Sequence, residues 1–330
     1  MKAIIPVAGA GTKLRPHTYT QPKALIPLAG KTVLGIILDQ LSAAGIREFI
    51  LVVGYLGDKI ADYARDYHPD LKITIVQQQE RRGLGHAVFL CKEHVHDDEV
   101  IIVLGDTICE YNTAELLEEK GSVLCVKKVD DPRDFGVAEE DESGKVIRLI
   151  EKPQIPKTNN ALVGIYKIKE TALLFECLEA GITEVVFSGE ELGLTSALDC
   201  MVSKGAVFTT HKVLNWFDCG KKETLLESNA TLLKKWGTQP IDQKGFENTI
   251  IIPPVSIAPG CEIKNAIIGP NVSIGEKTII QYSVVRDSII GAFSKLYDVV
   301  LNDSLIGSDT EIKGETRTLN IGDNTEIDLG

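Results

Sequence analysis

The chain has 330 residues, enough for two domains or for one large domain and a smaller one. Hydrophobic residues make up 44% and charged residues 25%, as in ordinary soluble globular proteins. A net charge of −12 argues against a nucleic-acid polymer or an anionic membrane as partner, because both need a basic face, but a nucleotide can still bind in a locally basic pocket.

The first apolar run, Ala3 to Ala8, reads as a strand. With Met1-Lys2 it mimics the start of a signal peptide, but it is short and Pro6 interrupts it. No stretch approaches the length of a transmembrane helix. Seven cysteines without C-x-x-C spacing read as buried thiols in a reducing cytosol, not as a disulfide scaffold or a zinc site. A cytoplasmic protein is therefore expected.

The strand breaks into Gly9-Ala10-Gly11-Thr12, and Lys13, Arg15 and Lys23 follow. Glycine lets backbone N–H groups face an anion without a Cβ in the way, and the cations offset phosphate charge. The glycines alone fit a tight turn equally well. A Walker A loop is excluded by the missing Gly-Lys-Ser/Thr, and a dinucleotide fingerprint by the missing third glycine.

Helical spacing predicts a helix over Thr32 to Ala44, stopped by Gly45. Strand Glu48 to Val53, helix Asp58 to Tyr67, strand Lys72 to Gln77 and helix Gly83 to Val95 follow. Strand Val100 to Leu104 ends in Gly105-Asp106. Such alternation implies βαβ units and a mostly parallel sheet, with ligands at the carboxyl ends of strands. The glycine loop, Gln78 and Asp106 all follow strands at that end. Strands are then predicted at Val123 to Val129, Val146 to Ile150, Ala161 to Ile168 and Ala206 to Thr210. Helices are predicted at Glu170 to Glu179, Leu192 to Lys204 and Lys222 to Lys235.

From about Asn248 isoleucines and leucines recur every six residues: Ile251, Ile257, Ile263; Ile268, Ile274; Ile290, Leu296; Ile306, Ile312; Ile321, Ile327. That period indicates a parallel β-helix, with interruptions near Tyr282 to Asp287 and Tyr297 to Asp303. The expected domains are 1–240 and 245–330. A stack of repeats with an open end makes a homo-oligomer an expectation.

Gly9-Ala10-Gly11-Thr12-Lys13-Leu14-Arg15-Pro16 followed by Pro22-Lys23-Ala24-Leu25-Ile26-Pro27 resembles the linked signatures of the sugar-1-phosphate nucleotidyltransferases. Many of these carry a left-handed hexapeptide-repeat tail, which the C-terminal period also resembles. The fold implied is a Rossmann-like α/β catalytic domain followed by a left-handed parallel β-helix. The reaction implied is transfer of a nucleotidyl group from a nucleoside triphosphate to a sugar 1-phosphate, with glucose 1-phosphate and dTTP or UTP favoured. A mannose-1-phosphate guanylyltransferase, an N-acetylglucosamine-1-phosphate uridylyltransferase and a non-catalytic regulatory relative stand as alternatives. Lys13 occupies a place where the family usually has Arg, so a point charge replaces a bidentate fork.

The resemblance also assigns residues. Ala8, Gly9, Gly11, Thr12, Lys13 and Lys23 would hold the triphosphate. Asp106, in Leu104-Gly105-Asp106, and Asp218, in Trp216-Phe217-Asp218-Cys219-Gly220, would share a Mg²⁺ ion; by itself Asp106 reads more readily as a cap. Gln78, five residues before Gly83, would read a pyrimidine edge, although Gln77 and Gln79 are alternative readers. Gly136, Glu151, Lys152 and Gly164 resemble sugar-side positions, with Lys152 set against the sugar phosphate. Catalysis would fall to Lys13, Lys23, Asp106, Lys152 and Asp218. None of the six histidines lies in the tail, which argues against a histidine-dependent acyl transfer there.

Overall fold

The computed structural model describes residues 1–96, 98–188, 191–237 and 241–315. Its contacts divide the chain into two compact units, Met1–Ser228 and Asn229–Gly330.

The elements in order are β1 (Lys2–Pro6), α1 (Val33–Ala43), β2 (Glu48–Val53), α2 (Gly57–Tyr67), β3 (Lys72–Gln77), α3 (Leu84–Phe89) and α4 (Lys92–Val95). Next come β4 (Val100–Val103), β5 (Thr107–Glu110), α5 (Thr113–Glu118), β6 (Ser122–Lys128), β7 (Gly136–Glu140), β8 (Val146–Glu151) and β9 (Asn160–Ile168). Then follow α6 (Thr171–Ser188), α7 (Leu194–Ser203), β10 (Phe208–Lys212), β11 (Asn215–Asp218) and α8 (Lys222–Trp236).

The central strands are continuous apolar runs because both faces of the sheet are covered. Ala3, Ile4, Ile5, Val100, Ile101 and Ile102 are completely buried. Helix α1 starts where Thr32 accepts a hydrogen bond from the Gly35 amide at 2.9 Å, and ends at Gly45 with a φ of +98°. The helix expected over Gly83 to Val95 is broken in two. The Cys91 amide turns back to Val88 O at 3.0 Å, a tight closure that ends α3 before α4 begins.

The sheet order is β8-β7-β9-β4-β1-β2-β3, with β6 pairing β9 and β10 pairing β6. Strands β4, β1, β2 and β3 are parallel, whereas β9 runs antiparallel to β4. The chain leaves β1 for β2 on one side and later returns to β4 on the other. Connections therefore diverge at the carboxyl ends of β1 and β4, which is where open α/β sheets leave a crevice.

One pair of cysteines departs from the reduced-thiol expectation. Cys177 on α6 and Cys200 on α7 form a disulfide, with Cα atoms 5.9 Å apart. Their spacing of 23 residues gives no sign that the two helices face each other there. The other five cysteines are buried and outside that disulfide, and burial pushes the Cys91 thiol up to about 12.

The second unit contains a left-handed parallel β-helix built from three parallel sheets. Phe246, Ile263, Ile280, Leu296 and Ile312 stack in register along one sheet. Ile251, Ile268, Val285 and Leu301 stack along a second, and Ile257, Ile274, Ile290 and Ile306 along the third. The interruptions expected near Tyr282 and Tyr297 are absent. Val285 and Leu301 carry the stack through both, because the step there shortens from six residues to five. Tyr282 and Asp298 take φ of +51° and +55°, which lets the corner close with fewer residues. Ile321 and Ile327 lie outside the described residues. The last turns of α8 pack within this unit: Asn229 is fully buried, donates to Asn271 O at 3.1 Å and accepts from the Ser273 hydroxyl at 2.7 Å.

Candidate active site

A cavity of about 360 Å³ opens at the carboxyl ends of β1 and β4. Val7, Ala8 and Gly9 form one wall, and Leu104, Gly105 and Asp106 another. The two strand ends touch: the Gly105 amide donates to Pro6 O at 3.3 Å, and a Cβ on Gly105 would stand 2.2 Å from the Val7 side chain. Only glycine lets these two tips meet at that distance.

The two loop glycines have different jobs. Gly11 has a φ of +61°, and a Cβ there would meet Thr18 Cγ2 at 2.8 Å and Lys23 Cβ at 3.0 Å. It is a folding glycine that lets the Pro22-Lys23 segment close over the loop. Gly9 is exposed and has nothing within 4 Å of a would-be Cβ. Folding makes no steric demand for glycine at this cavity wall. Thr12 and Lys13 lie on the 3₁₀ turn Thr12–Leu14; both are exposed and neither lines the cavity.

Lys23 does line it. Its Nζ donates to Asp106 Oδ2 at 2.5 Å, with the two side chains 18% and 41% exposed. Asp106 also accepts from the Thr107 hydroxyl at 3.4 Å. Strands β5 and β11 pair so that Asp218 stands opposite Thr107, and the Cys219 amide donates to Asp106 O at 3.3 Å. The backbone thus brings Asp218 beside Asp106, while its side chain lies outside the described residues. The Asp106 carboxylate opens on the cavity, and the backbone pairing sets a second carboxylate residue beside it; two such residues are a donor set that fits Mg²⁺. That ion takes few carboxylates and completes its shell with phosphate and water.

Of the three consecutive glutamines, Gln78 is buried and lines the cavity, whereas Gln77 and Gln79 are exposed. The Gln78 amide nitrogen donates to Gly83 O at 3.1 Å and lies 3.1 Å from His86 Nδ1. Burial, and then the Arg82 charge, hold the His86 imidazole below its usual pKa, which favours the uncharged ring. Gly83, at φ +93°, is pressed on the segment between α6 and α7: a Cβ there would lie 2.5 Å from Leu192 O. The Leu192 amide donates to Arg82 O at 2.9 Å, and the Gly85 amide to Leu192 O at 2.8 Å.

None of the residues expected on the sugar side lines the cavity itself, although Gly164 packs on Leu104, which does. Glu151 Oε2 accepts from the Thr195 hydroxyl at 2.6 Å. A Cβ on Gly136 would come within 3.0 Å of that oxygen and of Leu162. Gly164, at φ +85°, accepts from the Leu104 amide at 2.9 Å and leaves room for the Leu104 side chain. Lys152 is exposed, with a φ of +45°. Nearby, the Phe135 and Trp216 rings meet edge to face at 4.7 Å.

The family model described as nucleotidyl transferase matches residues 2–235. The chain belongs to that family. It is 32% identical to the low-salt glycan biosynthesis nucleotidyltransferase Agl11 of Haloferax volcanii, with 100% of both chains covered. It is 31% identical to a glucose-1-phosphate thymidylyltransferase of Streptomyces antibioticus, over 100% of this chain and 99% of that one. A bifunctional protein GlmU of Methanocaldococcus jannaschii is 35% identical, over 97% of this chain and 81% of the relative. Among solved structures, a putative glucose-1-phosphate thymidylyltransferase from Bacillus anthracis, in complex with a sucrose, superposes with a TM-score of 0.63. It is 25% identical and covers 74% of this chain and 98% of its own. The protein is an enzyme of the nucleotidyltransferase class, and no helix among its described residues is long and apolar enough to cross a membrane.

Two charged residues of the transferase's cavity were not reached from sequence. Arg81 and Glu191 both line it. Arg81 sits in the loop between Gln78 and Gly83, where any cation reads as solvated. Glu191 arrives from more than a hundred residues away, brought in by the backbone pairing of Leu192 with Arg82 and Gly85.

Proposed function

We propose that this nucleotidyltransferase uses a nucleoside triphosphate and a sugar 1-phosphate, releasing pyrophosphate and a nucleotide sugar. The observation that carries the reading is the Lys23–Asp106 pair at the mouth of a glycine-walled cavity, on the switch point of the sheet. Glucose 1-phosphate with dTTP or UTP is the preferred substrate pair, supported by Gln78 in the cavity and by the relative named as a glucose-1-phosphate thymidylyltransferase.

The attacking oxygen of a sugar 1-phosphate is already ionised, so the reaction needs no side-chain base. The protein's part is alignment and charge stabilisation. Ala8 and Gly9 give the triphosphate a backbone wall, Gly11 and Thr12 continue the loop beyond the cavity lining toward its outer phosphates, and Lys13 adds charge at that end. Gln78 and Gly83 face the base. Lys23, paired with Asp106 before substrate arrives, turns its ammonium to the reacting phosphate. Glu151 accepts hydrogen bonds from sugar hydroxyls, Gly136 and Gly164 leave the backbone close to the ring, and Lys152 offsets the sugar phosphate. Asp106 and Asp218 are the ligands for Mg²⁺, which when bound supplies charge neutralisation at the α-phosphate.

Pyrophosphate release measured across UTP, dTTP, GTP, CTP and ATP, each with glucose, mannose and N-acetylglucosamine 1-phosphates, tests this. Turnover with one pair well above the rest is expected. Nucleotide binding with no turnover for any pair would overturn it in favour of a non-catalytic relative.

A further inference from the structure

Gln78 has a carboxamide with one donor nitrogen and one acceptor oxygen, and its hydrogen-bond partners decide which end points where. Gly83 O is a carbonyl and can only accept, so the group 3.1 Å from it is the Gln78 nitrogen. That same nitrogen lies 3.1 Å from His86 Nδ1. Its two hydrogens are therefore both assigned, one to Gly83 O and one to His86 Nδ1. The second bond requires an uncharged ring, which the burial of His86 favours, and the tautomer with Nδ1 unprotonated, which the facing Gln78 nitrogen selects. With its nitrogen saturated, Gln78 has only Oε1 left to offer the cavity that it lines.

We infer that His86 is a positioning residue that fixes Gln78 as a hydrogen-bond acceptor, so that the cavity selects imide bases over cytosine. The inference rests on the proposed role of Gln78 as reader of the base. Uracil and thymine carry an N–H at ring position 3, which Oε1 can accept. Cytosine carries a lone pair at the same position, which Oε1 repels. A carboxamide free to turn over would present its NH₂ and take cytosine as readily. Gly83 O alone opposes that turn on one side, and His86 opposes it on the other. Removing the His86 acceptor leaves one N–H without a partner and lowers the barrier to the reversed orientation.

The charges acting on the ring come from its own loop: Arg82 disfavours protonation and Glu80 favours it, and the two are paired with each other. Helices α6 and α7 pack on α3, and among their described side chains the carboxylates are engaged elsewhere. Glu179 pairs with Lys92, Glu176 with Lys204, and Asp199 accepts from the Leu149 amide. On β1, Lys2 is held by Asp98. Arg81, Glu191 and the Lys23–Asp106 pair are the charged residues that line the same cavity.

Calorimetric titration of the full chain with UTP and with CTP, in the presence of Mg²⁺, reads the selectivity without needing turnover. The wild type is expected to favour UTP. His86→Leu should reduce the UTP-to-CTP ratio by about tenfold, the scale of one buried donor left unpaired. His86→Asn places an amide oxygen near the Nδ1 position and should restore the ratio, which a merely structural loss would not do. As pH falls through the His86 titration, below 6.5, the wild-type ratio should fall while that of His86→Asn stays level. Gln78→Leu separates the two ideas. If it leaves the ratio unchanged, Gln78 is not the reader. If it abolishes the ratio while His86→Leu keeps it, the positioning role of His86 is overturned.

Discussion

The two stretches proposed to bind substrate, a nucleotide lip on the cavity wall and a sugar lip outside its lining, are built on opposite plans. On the nucleotide lip the wall is backbone, and the protein has left space: nothing occupies the position of a Cβ on Gly9, and Thr12 and Lys13 are exposed. On the proposed sugar lip the polar groups are already tied together, with Glu151 held by Thr195 and Gly136 closed in beside them. The difference follows from what each lip would bind. A triphosphate brings its own charge and needs donors that no side chain obstructs. A sugar brings neutral hydroxyls and needs acceptors fixed beforehand, because a freely rotating carboxylate loses entropy on each hydrogen bond it makes. Lys23 and Asp106 stand between the two plans as one ion pair.

The largest effect should come from breaking that pair. Asp106→Asn keeps the shape of the side chain and removes the charge. Turnover is expected to fall by about 10³-fold, the range seen when a charge-stabilising group is lost. Stability should drop by less than about 1 kcal/mol, since the pair is partly exposed. Retained turnover, with an unchanged melting curve, would remove Asp106 from the reaction.

The two loop glycines test the open plan next. Gly9→Ala should fold normally and lose about 10²-fold in kcat/KM, the scale for displacing a substrate by roughly an ångström. Gly11→Ala should instead lower stability by about 1 kcal/mol or more, because its φ is +61° and Thr18 is in the way. Thermal melts beside steady-state kinetics tell them apart. If Gly9→Ala proves fully active, the nucleotide does not approach that wall.

On the tied lip, Thr195→Val removes the hydroxyl that holds Glu151 while keeping its volume. The expected result is a rise of about threefold to tenfold in KM for the sugar phosphate, with KM for the nucleotide unchanged, as suits one hydrogen bond of about 0.5–1.5 kcal/mol. An equal change in both KM values would mean that Thr195 supports the fold and not the sugar.

Much of this was legible in the sequence, and the parts that were not share a physical cause. The runs Ala3 to Ala8 and Val100 to Leu104 announce buried strands because both of their faces are apolar. The isoleucine period announces a β-helix because each coil repeats the same burial. What local pattern cannot carry is which strand tips are neighbours. The switch point between β1 and β4 depends on the path of the chain around β1 and not on the residues of either strand. For the same reason Glu191, and the meeting of Cys177 with Cys200, have no local signature. The step of five at Val285 and Leu301 was hidden by the strictness of a six-residue template. Asp218 is an intermediate case: its backbone stands opposite Thr107, next to Asp106, although more than a hundred residues separate the two strands.

Lys13 gives the smallest expected effect and the finest test of the open lip. The family pattern has arginine there, whose fork would grip a phosphate in one fixed geometry. In this chain the position is an exposed lysine outside the cavity lining, and the 3₁₀ turn that carries it has no side-chain cap at its start. A point charge on a long stem at that place can offset phosphate charge without fixing its direction. Lys13→Arg should therefore change kcat/KM by no more than about twofold, while Lys13→Ala should raise the nucleotide KM by roughly fivefold, about 1 kcal/mol of screened attraction. The Lys13→Ala loss should also shrink as salt is added, because the group it removes acts through solvent. A loss independent of salt, or a large gain on restoring arginine, would mean that the loop closes on the triphosphate and that this lip, too, fixes its contacts in advance.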